Sequence, residues 1–147
     1  MKLIYLLVFF ISTTAFAQSA DSAAIRKASA DYVEGFYKAD AQRVAQGVSP
    51  ELVKRIVIKD DKGNSMINNM GSSALIFAAS KNTNANPQSV ITSNEPFRID
   101  VSIYDITADM ASVKIKTNKF KFIDYAHLAK VNGEWKVINV LWGFYMK

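Results

Sequence analysis

Asp124 and His127 stand three apart in the stretch D-Y-A-H-L-A-K, and His127 is the only histidine among 147 residues. A carboxylate beside an imidazole is familiar material for an acid–base pair. The local alternation reads as a β-strand, whose successive side chains point to opposite faces. Residues three apart therefore diverge unless a bulge intervenes. Asp124 shares a face with Phe122 and Leu128, and His127 with Tyr125. Burial in apolar surroundings raises a carboxyl's pKa, a property that suits a general base or a neutral acid donor. Asp124 is thus the candidate catalytic residue. Tyr32 lies on an apolar helical stripe, and Asn139 lies among apolar residues on the last strand. Pockets use a few polar groups on an apolar lining. Tyr32, Asp124 and Asn139 form the candidate ligand-binding set.

Other chemistries lack their residues. One histidine and no cysteine leave no structural zinc site. No glycine-rich phosphate loop and no nucleophile elbow occur, and Gly71-Ser72-Ser73 reads as a helix start. No cofactor is implied. The net charge of +5 is spread over Lys54, Arg55, Lys59 and Lys62, then Lys114, Lys116, Lys119 and Lys121. The second group alternates along a strand, as on a solvated sheet face. A nucleic-acid footprint needs a denser patch with interleaved aromatics.

The N-terminus carries Lys2, then nine apolar residues from Leu3 to Ile11, then Ala15-Phe16-Ala17. This is the pattern of a secretory signal peptide, cleaved before Gln18. The apolar run is shorter than the roughly 20 residues needed to span a bilayer. Residues 1–17 are therefore expected to be a signal peptide and 18–147 a single domain, exported to the periplasm or secreted. Without cysteine there is neither lipoprotein anchor nor disulfide, so the core alone must stabilise the exported domain.

These residues need elements to position them. Ile25, Ala28, Tyr32 and Phe36, with Val33, form one apolar stripe and predict a helix over 21–39. Gly35 inside it suits close approach of another element. Asp40 is a cap for a short second helix ending near Gly47. Residues 51–58 predict a strand, 60–64 a turn, 70–81 a helix and 82–88 a polar loop. Period-two alternation then predicts strands over Phe97–Tyr104 and Ala111–Lys116, with a turn at 106–109. Phe120–Lys130 and Trp135–Tyr145 follow, joined by Asn132-Gly133, a strong hairpin signal. Trp135, Val137, Asn139 and Leu141 share one face of the last strand by simple alternation. Lys136, Ile138, Val140, Trp142 and Phe144 share the other. Both faces are mostly apolar, which predicts a homodimer packed sheet to sheet. Helices followed by antiparallel strands give an α+β domain.

This order resembles the NTF2-like cone, in which helices pack on a curved antiparallel sheet. The strings Y-V-E-G (32–35), K-A-D (38–40), S-P-E-L-V-K-R (49–55) and D-Y-A-H-L-A-K-V-N-G-E-W-K-V (124–137) resemble its small secreted "putative lumazine-binding" branch, related to SnoaL-like and ketosteroid isomerase-like proteins. The resemblance spans nearly all of the chain after residue 17. It implies a cavity between helices and sheet. Relatives of this fold include isomerases, polyketide cyclases, dehydratases and non-catalytic binding or dimerisation domains, so the resemblance carries fold further than function. Where related sequences often have H-P-E-L, this chain has Ser49, which removes an ionisable group from that position.

Three functions follow as expectations. The favoured one is binding of a small apolar or aromatic molecule in the cone. The second is an isomerase, cyclase or dehydratase with Asp124 as base and Tyr32 as donor. The third is an interaction domain whose cone is filled by its own side chains.

Overall fold

Asp40 sets the geometry at the start of the fold. Its carboxylate accepts a hydrogen bond from the Arg43 backbone N–H at 2.9 Å and so caps the second helix. The computed structural model describes residues 2–83 and 90–145, with side chains from residue 18 onward. Helix α1 (Lys2–Tyr37) buries Ile25, Ala28, Tyr32 and Val33, the expected stripe. Helix α2 (Ala41–Gly47) folds back on it. The element that approaches Gly35 is α2: a Cβ there would lie 3.0 Å from Val44.

Strand β1 (Val48–Lys59) turns through Asp60–Asn64 into β2 (Ser65–Gly71). The Asp60 carboxylate accepts from the backbone N–H groups of Lys62 and Asn64, and Gly63 supplies the positive φ. The residues of β2 carry no strand pattern of their own. S-M-I-N-N-M-G is an edge strand with nearly every side chain exposed, so it has no apolar alternation to read. Helix α3 (Ser72–Ser80) starts two residues later than expected, because Met70 is still paired with Lys54 in the ladder. Strands β3 (Ile99–Thr107), β4 (Met110–Thr117), β5 (Phe122–Val131) and β6 (Glu134–Phe144) complete the chain. Asn132 and Gly133 both have positive φ, as a two-residue hairpin turn demands. The β3–β4 turn is tighter than expected, since Ile106 already pairs with Ala111. Most of the polar loop expected at 82–88 lies outside the described residues.

The sheet order is β2-β1-β6-β5-β4-β3. Every neighbouring pair is antiparallel except β1 and β6, which run parallel. Three helices pack on the curved, unclosed sheet, with α1 over β6 and β3 and α3 over β1. The α+β cone architecture is as expected. Among the described residues no helix is long and apolar enough to cross a membrane.

One irregularity corrects the face assignment of β6. His127 pairs with Asn139, but Leu128 pairs with Val137, so Ile138 is an extra residue. A bulge of this kind reverses the alternation beyond it. Trp135 and Val137 are buried before it, and Val140 and Trp142 turn inward after it. Asn139 and Leu141 therefore leave the face of Trp135 and Val137. The apolar character of both nominal faces is largely one inward face read across a bulge.

Candidate functional site

Strand β1 reads L-V-K-R-I, and its alternation places Lys54 on the inward face with Leu52. Strand β5 turns Asp124 inward beside Ala126 and Leu128. Helix α1 presents Tyr32 from above. The three side chains meet under the helices and are almost wholly buried, with 7% of Lys54, 1% of Asp124 and 2% of Tyr32 exposed. Lys54 Nζ lies 3.0 Å from Asp124 Oδ1, and the Tyr32 hydroxyl donates to Asp124 Oδ2 at 3.0 Å. Lys54 also donates to the Tyr32 oxygen, closing a triangle. Two aromatic rings flank the ammonium, with centroids 4.7 Å (Trp142) and 5.4 Å (Phe122) away, while Tyr32 meets it through its hydroxyl. Their π-faces replace part of the hydration the cation has lost.

The electrostatics follow from this burial. Burial pushes the Lys54 amine below its ordinary value, against the pull of Asp124. Burial, reinforced by the charge of Asp124, pushes the Tyr32 hydroxyl well above its ordinary value. Tyr32 thus keeps its proton and remains a donor. One cation, one anion and one neutral hydroxyl give a cluster of zero net charge.

The cluster forms the polar end of a cavity of about 200 Å³. The remaining lining is apolar and includes Phe36, Met70, Leu75, Phe120, Phe122 and Trp142, with Phe144 exposed.

Of the expected site residues, the structure brings Tyr32 and Asp124 together and separates the others. The Asp124–His127 pair does not form, because His127 is on the exposed outer face. Asn139 is also outside the cavity. Its amide oxygen accepts from Arg55 at 2.6 Å, and its amide nitrogen lies 3.2 Å from His127 Nδ1. The bulge at Ile138 is the reason. The Asp124 carboxyl is not alone among apolar groups but ion-paired with Lys54. Lys54, which composition groups with the dispersed basic residues, is the third member of the site. Its signal was the same as that of Asp124: a charged residue two positions from apolar neighbours on each side.

Comparison with known proteins agrees with this architecture. The model of the family described as "Putative lumazine-binding" matches residues 20–143. Among curated proteins, none matches the chain in sequence. A solved NTF2-like protein of unknown function from Shewanella baltica superposes with a TM-score of 0.67 at 22% identity, covering 88% of this chain and 97% of its own. Hexachlorocyclohexane dehydrochlorinase LinA-type3 from Novosphingobium barchaimii gives 0.61 at 14% identity, covering 90% and 91%. A cystatin-like domain of unknown function from Nostoc punctiforme gives 0.58 at 11%, covering 87% and 79%. At these identities the solved structures share the fold.

Proposed function

The chain belongs to the "Putative lumazine-binding" family of NTF2-like proteins, and we propose that it binds a small, neutral, aromatic or apolar molecule in its cone. The single observation carrying this reading is the apolar cavity of about 200 Å³ with one polar end, made by Lys54, Asp124 and Tyr32. That volume suits roughly one substituted ring, well below the drug-sized range. Two of the three ammonium N–H bonds are engaged within the cluster, leaving the third for a ligand acceptor. A ligand anion would place a second negative charge beside Asp124 in a poorly solvated site, which is costly. The family label names lumazine, itself a small neutral heterocycle. An NMR titration with benzamide should shift the signals of Phe122, Trp142 and Tyr32, while benzoate binds about tenfold more weakly or less. Shifts confined to the outer sheet face would refute this reading.

Export and dimerisation belong to the same proposal. The family match begins at residue 20, and the first fully buried side chain among those described is Ile25. Both lie after the expected cleavage point, which supports residues 1–17 as a signal peptide and 18–147 as the exported domain. For the homodimer, the bulge in β6 removes part of the sequence argument, and the outer face supplies another. Tyr125 and Leu141 are cross-strand partners at the middle of the sheet, and each is about half exposed (51% and 52%). Val57 and Ile67, also paired and exposed, extend the apolar surface toward β2. A second copy packed sheet to sheet would cover them. Native mass spectrometry of the exported protein should show a dimer of chains that begin at Gln18. Monomers at micromolar concentration, or chains retaining Met1, would contradict the respective part.

A further inference from the structure

Lys54 is placed as more than a hydrogen-bond donor. Lys54 lines the cavity, and its Nζ is the centre of the polar cluster there, so a ligand whose polar group reaches that cluster would meet an amine. Amines in such positions are nucleophiles toward carbonyl carbon once they lose a proton. The group that takes this proton is already in contact, since Asp124 Oδ1 lies 3.0 Å away. Lys54 and Asp124 are almost wholly buried, and an imine sheltered from bulk water is slower to hydrolyse. The rings of Trp142 and Phe122 that flank the ammonium cation can equally flank an iminium cation at the same nitrogen.

We propose that Lys54 forms an imine with a small aromatic or apolar aldehyde or ketone bound in the cavity. The inference rests on the binding reading above and names its ligand class as a carbonyl compound. The Lys54 ammonium gives one proton to Asp124. The amine lone pair then forms the N–C bond as the C=O π electrons move to oxygen, and oxygen takes that proton from Asp124. A second N–H proton passes through Asp124 to the resulting hydroxyl. The C–O bond breaks and water leaves. Ammonium and carbonyl have become iminium and water, Asp124 is a carboxylate again, and no oxidant or reductant is required. Tyr32, which keeps its own proton, holds Asp124 Oδ2 throughout and acts as a positioning residue. Burial that lowers the Lys54 pKa favours the first transfer.

The test is reductive trapping with benzaldehyde and cyanoborohydride on the unaltered protein, followed by peptide mass mapping. Lys54 should acquire the benzyl group about tenfold faster than exposed lysines such as Lys59 and Lys62, the advantage expected of a desolvated amine. Benzamide, a competitor of similar shape that forms no imine, should abolish that advantage. The reaction should be absent from K54R, which keeps the cation. If benzamide binds in the cavity but Lys54 is labelled no faster than exposed lysines, the imine inference is overturned and the binding reading stands. If benzamide does not bind and Lys54 is not labelled, both fall.

Discussion

Lys54→Met is expected to destabilise the protein by about 3–5 kcal/mol in urea denaturation, because it leaves the buried Asp124 carboxylate without its cation. The size of the effect follows from the asymmetry of buried ion pairs. Forming one gains little over an apolar substitute, whereas breaking one strands a charge. The triple variant K54M/Y32F/D124L removes every polar group of the cluster together and replaces each by an apolar group of similar size. It should recover most of the loss. A triple variant as unstable as K54M would mean that the cluster is itself a main source of stability. A K54M variant within about 0.5 kcal/mol of the parent would place Lys54 in solvent, since only exposed substitutions are so mild.

Gly47→Ala should be the second large effect. A Cβ at Gly47 would lie 2.6 Å from the Ala28 carbonyl oxygen and 2.6 Å from the Tyr32 backbone nitrogen. Both are backbone atoms of α1, which cannot swing aside as a side chain can. The helix must shift or the end of α2 must deform. The cost is about 1–3 kcal/mol, as for other overpacked sites. The shift also displaces Tyr32, whose backbone nitrogen is one of the two atoms contacted. Benzamide affinity should therefore fall in G47A along with stability. The control is Gly143→Ala, where an added Cβ meets nothing within 4 Å. Equal stability of G47A and G143A would overturn the close approach of α2 to α1.

These two sites show how far the residues alone could be read. The stripe Ile25–Ala28–Tyr32–Val33 and the Asn132-Gly133 turn were legible because each carries a local rule: a helical period, and a demand for positive φ. Asp124 was legible as an inward carboxyl for a similar reason, since one regular strand fixes which neighbours share its face. Asn139 failed because a single extra residue, Ile138, reverses that parity, and I-N-V contains no glycine or proline to mark it. Strand β2 failed because an exposed edge needs no apolar pattern. Lys54 is the instructive miss. Its placement between Leu52 and Ile56 gave the same period-two signal as Asp124, but a lysine among other basic residues reads first as surface. Nothing local joins Lys54 to Asp124, seventy residues away. Their meeting depends on β1 crossing to lie parallel to β6, a long-range pairing that leaves no mark in either segment.

The cone therefore holds a neutral polar cluster beside an apolar slot, placed to orient a ligand. The most direct measurement compares benzamide and toluene by NMR titration in the parent protein and in K54M/Y32F/D124L. The parent should prefer benzamide by about tenfold, the worth of one good hydrogen bond, and the apolar triple variant should prefer toluene. Equal affinities for the two molecules in both proteins would contradict it.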